Sequence, residues 1–231
     1  QICTENGKTS SPRPVTIQDL LDMTSGISYG GNSTENEIKT SELIEEIKSR
    51  LDGPSPLTTL EIAQRLGRIP LSFEPGTGYQ YGLSADVLGA VVEQVTGMKF
   101  GEFLTERIFT PLGMCDTAFY VPKEKQARFA QIYQQECGHL VRYTAPNLGI
   151  SNTMEKAPAY ESGGAGLVST ADDCMKFCRM MLGGGTLKGE RVLSSGTVFF
   201  MRTAHLTQQL QTQFDSPFGY LSGYTYSNLM S

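Results

Sequence analysis

The chain has no tryptophan, only two histidines and no block of basic residues; its 19 Lys+Arg against 24 Asp+Glu leave a formal charge of −5. That balance argues against a nucleic-acid partner, whose phosphates demand a basic face. No apolar run approaches the ~18 to 20 residues that a membrane-spanning helix needs, so no membrane span is expected. The first residues supply neither the charged nor the apolar part of a secretory leader. Five cysteines is an odd count in a chain this long, so at least one thiol is expected free and a reducing, cytoplasmic compartment is favoured, unless a leader lies upstream. The chain opens on Gln1 rather than Met and closes on a Gly/Tyr/Ser-rich run, Gly219 to Ser231. Both ends read as those of a piece cut from a longer protein.

With 231 residues there is length enough to bury roughly 70% of the unfolded surface, and residues 1–231 read as a single helix-rich region. Repeats and low-complexity linkers are absent from the pattern. Thr16 can cap a helix carrying Ile17, Leu20, Leu21 and Met23, ended by Gly26. Leu43, Ile44, Ile47 and Leu51 make a second stripe between Ser41 and Gly53-Pro54. Thr58-x-x-Glu61 has the capping-box spacing, with Ile62, Ala63 and Leu66 behind it. After the loop Glu74-Pro75-Gly76-Thr77-Gly78, a helix capped at Ser84 is expected to turn Val87, Leu88, Val91, Val92 and Val95 inward until Gly97. Phe100, Phe103, Leu104, Ile108 and Phe109 repeat the pattern before Pro111. Minor strands are expected at Ala118 to Val121, Ala130 to Tyr133 and Leu140 to Tyr143. A helix capped by Ser169 or Thr170 should bury Met175, Cys178, Met181 and Leu182, and a last one follows Ser195 through Val198, Phe199 and Arg202.

Three local patterns invite a chemical reading. Gly26-Ile27-Ser28-Tyr29-Gly30 matches the G-x-S-x-G nucleophile elbow, but the elbow needs a strand entering and a helix leaving. Here a helix enters and a polar loop leaves, so a helix cap followed by a turn is the better reading, and an α/β-hydrolase using Ser28 is kept only as a rival. Cys174 and Cys178 are one helical turn apart, and Cys137-Gly138-His139 offers two more soft donors; without a paired knuckle, buried structural thiols are expected instead. Gly183-Gly184-Gly185-Thr186-Leu187-Lys188-Gly189 lacks the order of a phosphate-binding loop and reads as a helix stop and a turn.

Four segments in order carry more than any of these. They are Thr16 to Ile27 (TIQDLLDMTSGI), Glu74-Pro75-Gly76-Thr77 with Tyr81 to Gly89 (YGLSADVLG), Pro111 to Thr117 (PLGMCDT), and Ser162 to Thr170 (SGGAGLVST). Together they resemble the serine β-lactamase and penicillin-binding-protein superfamily, in its class C-like branch of β-lactamases, carboxylesterases and D-amino-acid peptidases. The resemblance covers about Val15 to Met201. It implies an α+β fold of which this chain is the central, predominantly helical region, with most of the antiparallel sheet missing.

The activity it implies is that of a serine hydrolase acting on an ester, β-lactam or D-amino-acid peptide bond through an acyl-enzyme, with a small-molecule or peptide substrate and no cofactor or metal. Such enzymes use a Ser and a Lys in S-x-x-K, a Tyr from a mid-chain loop, and a K-T-G-like strand. Here Tyr81 aligns with the Tyr. None of the lysines has Ser three residues before it, and no Lys-Thr-Gly, Lys-Ser-Gly or His-Thr-Gly occurs; by the resemblance those motifs flank this region, and the fragment itself is expected to be inactive. Where β-lactamases of this branch carry Asn, this chain has Leu83, which cannot hydrogen-bond a lactam's acyl amide and moves weight toward ester or peptide substrates. Ser162, Gly163, Gly164 and Ala165 align with a stretch bordering the substrate cleft, and Ala165 stands where antibiotic-hydrolysing relatives place a bulky aromatic. The rival is a non-catalytic binding or scaffold protein that kept the fold. Self-association through uncovered apolar surface is also expected.

Overall fold

A computed structural model describes residues 2–4 and 7–215, with side chains at residue 2 and over 10–212. Gly219 to Ser231 lie outside the described residues. Helices dominate what is described. A hairpin of β1 (Ile2–Thr4) and β2 (Gly7–Thr9) leads into α1 (Ile17–Leu21), α2 (Glu35–Arg50), α3 (Thr59–Leu66) and α4 (Ser84–Thr96). Next come α5 (Phe100–Leu104), a π-helical turn Thr105–Phe109, α6 (Thr110–Leu112) and a 3₁₀ turn Lys123–Arg128. The hairpin β3 (Tyr133–Glu136) and β4 (His139–Arg142) precedes α7 (Ala171–Leu182), the short hairpin β5 (Thr186–Leu187) and β6 (Glu190–Arg191), then α8 (Ser195–Met201) and α9 (Gln208–Asp215). Each sheet described has two antiparallel strands.

Helix starts follow from local hydroxyl chemistry. Thr16, Thr34 and Thr58 each form a capping box, with Asp19, Glu37 and Glu61 returning the bond to the cap's own N–H. The Thr34 box starts α2 six residues before Ser41, on a polar stretch that carries no apolar stripe. Leu43, Ile47, Leu57, Ile62, Leu66, Leu83 and Tyr160 form the main buried cluster, and Phe109, Leu112, Met114 and Met180 a second.

Two helices present different faces from those the apolar spacing predicts. On α4 the buried residues are Ser84, Asp86, Gly89 and Ala90, while Val95 is 80% exposed. On α7, Met175, Cys178 and Leu182 are exposed, and Asp173, Phe177, Met180 and Met181 face inward. The cause is the same in both: a buried carboxylate anchors the first turn and sets the rotation. Asp173 accepts from Asp116 N at 2.7 Å and Thr117 Oγ1 at 3.1 Å, so its stripe wins over the apolar one. Cys174 and Cys178 are therefore surface thiols rather than core fillers.

The expected strand at Ala118 to Val121 is only a bridge, Ala118 to Val168. Those expected at Ala130 to Tyr133 and Leu140 to Tyr143 become β3 and β4, shifted because Cys137 (φ 47°) and Gly138 (φ 85°) form the two-residue turn that fixes hairpin register. The Cys137-Gly138-His139 segment is thus a turn.

One ion pair ties the ends of the site-bearing region together. Arg13 grips Asp19 with two parallel bonds of 2.7 and 2.8 Å and donates a third, of 2.6 Å, to Pro75 O. Gly76 leaves room for it, since a Cβ there would lie 2.5 Å from Arg13 Nη2. The guanidinium and the Thr16 bonds hold the Asp19 carboxyl well below its ordinary range. A lowered pKa stabilises the fold above the ordinary carboxylate range and loses that contribution as pH falls toward the folded value. Asp19→Asn should therefore cost about 1.5–3 kcal/mol at pH 7, and urea denaturation midpoints of the two proteins should converge below pH ~4.

Candidate active site

Tyr81 is placed by backbone before any side chain acts. After α1, the carbonyls of Met23, Thr24 and Gly26 accept from Gln80, Gly76 and Ser72 N–H at 2.9, 2.8 and 2.9 Å. The loop from 72 to 80 is thereby zipped onto the end of α1. Gly82 then lies against Ile27, so close that a Cβ would meet Ile27 O at 1.9 Å; only glycine fits. Tyr81 emerges from this junction 47% exposed, its ring tilted at 54° on that of Tyr29 with centroids 5.3 Å apart. Leu83, the N-cap position of α4, points instead into the main core cluster and is 4% exposed.

Ser84 is the first helical residue rather than the cap. Its hydroxyl is fully buried and pairs with Ser25 Oγ at 2.8 Å, and Ser25 Oγ also accepts from Ile27 N at 3.2 Å. Ser28 is likewise buried, at 1% exposure, and donates to Asn36 Oδ1, whose amide in turn donates to Pro70 O. An elbow nucleophile must be exposed, so Ser28 belongs to a structural network.

The Ser162–Ala165 loop reaches the first turn of α4 from the other side. Asp86, 2% exposed, accepts from Ser162 Oγ and Tyr160 OH, both at 2.5 Å, and from Gly164 N at 3.4 Å, all on Oδ1. O–H···O bonds this short are characteristic of a carboxylate acceptor. Burial and the adjacent carboxylate push the Tyr160 phenol well above its ordinary pKa, so it stays a donor. Ser162 is buried, while Gly163, Gly164 and Ala165 are exposed. Gly163 is pressed onto the helix, with a Cβ 2.2 Å from Ala85 O. A Cβ on Gly164 would lie 3.0 Å from Asp86 Oδ2 and 3.4 Å from Tyr29 OH, so Tyr29 spans from the Tyr81 ring to this loop. A cavity of about 540 Å³ borders the loop through Tyr160 and Gly166, with Phe119, Ile150, Met154 and Pro158 in its lining.

Tyr81 thus stands at the entry to α4 and the Ser162–Ala165 loop is bonded to the first turn of the same helix, while Leu83 is buried in the core. Sequence reasoning missed Tyr29, Asp86 and Tyr160. A charged residue inside the apolar start of α4 was the one local sign of Asp86; its partners lie 74 and 76 residues away.

A helix-rich body presenting these motifs defines the β-lactamase-like class of folds. The Beta-lactamase family model matches residues 6–228, and the chain belongs to that family. Esterase EstB of Burkholderia gladioli is 36% identical over 179 residues, 70% of this chain and 43% of its own length. Lovastatin esterase of Penicillium rubens is 33% identical over 74% of this chain and 40% of its own length. An uncharacterised Mycobacterium tuberculosis protein is 36% identical over 85% of the chain and 46% of its own length. The chain spans less than half the length of these relatives. Among solved structures, EstCE1, a hydrolase with promiscuous acyltransferase activity, superposes with a TM-score of 0.68 at 28% identity, over 92% of this chain and 55% of that one.

The Ser25–Ser84 pair predicts non-additive mutational effects. Ser84→Ala should cost about 1–2 kcal/mol by leaving a buried hydroxyl short of a partner, and Ser25→Ala/Ser84→Ala should cost little more than either single change. An N-cap role for Ser84 would instead make the costs add, as equilibrium unfolding will read.

Proposed function

We propose that this chain is the central region of a serine hydrolase that takes the acyl group of an ester onto a serine and passes it to water or another alcohol. The observation that carries the reading is Tyr81: half-exposed, fixed by a steric junction, and linked through Tyr29 to a loop of accessible backbone at Gly163 to Ala165. Membership of the family and the esterases among its relatives support the same class.

In this reading the nucleophile and its lysine, and the strand opposite them, come from segments outside these 231 residues, which also complete the antiparallel sheet. Tyr81 is the proton relay. Its oxygen accepts the proton of the attacking serine as its own proton passes to the neutral amine of that lysine, and the reverse transfer, lysine to Tyr81 to the departing alkoxide, returns the proton and regenerates both groups. Leu83 supports ester over lactam substrates, because a buried alkyl group presents no amide to the cleft. The small Ala165 leaves width, and Ser162, Gly163 and Gly164 offer backbone groups along the substrate's path. The 540 Å³ cavity, where Phe119, Ile150 and Met154 stand among polar residues such as Thr153 and Lys156, is the space proposed for a bulky acyl or alcohol portion.

The complete gene product should hydrolyse a chromogenic short-chain ester, and the 231-residue chain alone should not. Tyr81→Phe should retain the fold and lower acylation about 10²- to 10⁴-fold. A complete protein without S-x-x-K and without turnover would favour the non-catalytic binding protein.

The chain's partner, beyond substrate, is proposed to be a second copy. Leu182 and Phe199, 80% and 74% exposed, line one groove between α7 and α8, with Met175 and Met201 also more than half exposed. Apolar residues grouped in this way are poorly tolerated in water. Light scattering of the chain should give a dimer; a monodisperse monomer that binds no hydrophobic dye contradicts it.

A further inference from the structure

Asp86 lies within the Tyr81 to Gly89 segment without a role assigned to it by the resemblance, yet three donors from the loop bordering the cleft converge on its carboxylate. One carboxylate oxygen takes three donors from the loop that borders the cleft: the Ser162 hydroxyl, the Tyr160 phenol and the Gly164 amide. Ser162 Oγ then accepts from Ala165 N at 3.2 Å and Ser162 O from Gly166 N at 3.0 Å, so the grip extends along the whole loop. Asp86 itself is carried in the first turn of α4, five residues after Tyr81, on a helix that packs against α1, α3 and α5. Both sides of the cleft therefore refer to one rigid element.

The loop's fit around the carboxylate is close. Gly163 and Gly164 admit no side chain without meeting Ala85 O at 2.2 Å or Asp86 Oδ2 at 3.0 Å. Oδ2 is buried and takes no hydrogen bond among the described residues. None of the described ion pairs includes Asp86, so donors from the loop compensate its buried charge. Such a carboxylate is costly to hold in place unless those bonds persist, which couples the loop's position to the carboxylate tightly.

We propose that Asp86 is the positioning residue of the site: it clamps the Ser162–Ala165 loop at a fixed distance from Tyr81, and so sets where the substrate's acyl portion lies relative to the proton relay. This rests on the serine-hydrolase reading for its kinetic consequence, though not for its structural one.

Its test is made in the complete protein with two independent readouts. Amide hydrogen exchange at Gly164, Ala165 and Gly166 should quicken about 10-fold or more in Asp86→Ala, while Ile62 and Leu66 in α3 stay protected. Asp86→Asn keeps an acceptor oxygen and the shape, and should restore most of the protection. With a chromogenic ester, Asp86→Ala should raise KM about 10-fold or more with a smaller change in kcat, the reverse of Tyr81→Phe, and Asp86→Asn should fall between. If Asp86→Ala does not fold, Ser162→Ala carries the same readouts with smaller shifts in the same directions. Wild-type exchange at the loop amides, or an unchanged KM in an active protein, overturns the proposal. Absence of ester turnover in the wild-type protein overturns the hydrolase reading instead, and the exchange result still decides whether Asp86 holds the loop.

Discussion

Three stretches of backbone meet at the start of α4 with no space for side chains between them. Gly82 lies on Ile27 and Gly163 on Ala85, each at a distance that a Cβ would convert into overlap. Steric exclusion of this kind differs from a hydrogen bond in having no alternative partner; water cannot replace it and side-chain rotation cannot relieve it. Tyr81, Ser28 and the loop from Ser162 to Ala165 are positioned relative to one another by it. The buried polar groups that surround the junction, Ser25, Ser84 and Asp86, are then paired where the packing puts them, and each pair fixes a geometry that packing alone would leave approximate.

Local chemistry was readable wherever it closed within a turn of chain. Thr16 and Thr58 as caps, Gly97 as an end, and the loop at Glu74 to Gly78 required no knowledge of the rest of the molecule, whereas the helix expected to run to Gly26 stops at Leu21, with Asp22 as its C-cap. The buried faces of α2 and α3 were readable too, because their buried polar residues, Asn36 and Thr40 on α2 and Thr59 on α3, lie on the same face as the apolar stripe instead of competing with it. Reading failed on α4 and α7, where apolar spacing competes with a carboxylate in the first turn. Asp86 and Asp173 turn each helix toward donors far away in sequence, and periodicity contains no information about donors on other segments.

The candidate site divides along the same line. Tyr81 and the Ser162–Ala165 segment were found because ordered motifs resemble a family, whereas Tyr29 and Asp86 are visible only once the chain is folded. Ser28 shows the opposite error that a short motif invites. Its pattern is that of an exposed nucleophile, but the residue is buried and its hydroxyl is bonded to Asn36. Burial decides between the two, since a hydroxyl already committed to a buried amide has neither access to substrate nor a base to activate it.

Under the proposed reading, the burial of Leu83 has a consequence for the acyl acceptor as well as the donor. A polar side chain at that position would hold ordered water beside Tyr81; an alkyl group directed into the core leaves the approach to Tyr81 flanked by the Tyr29 ring instead. Aromatic surface disfavours a well-bound water and favours the carbon skeleton of an alcohol. The balance between hydrolysis and transfer to an alcohol is then set by the relative occupancy of that approach rather than by the proton relay, which is common to both. In that reading the Tyr29 ring, tilted on Tyr81 with its hydroxyl reaching toward Gly164, is the group whose apolar face borders this approach.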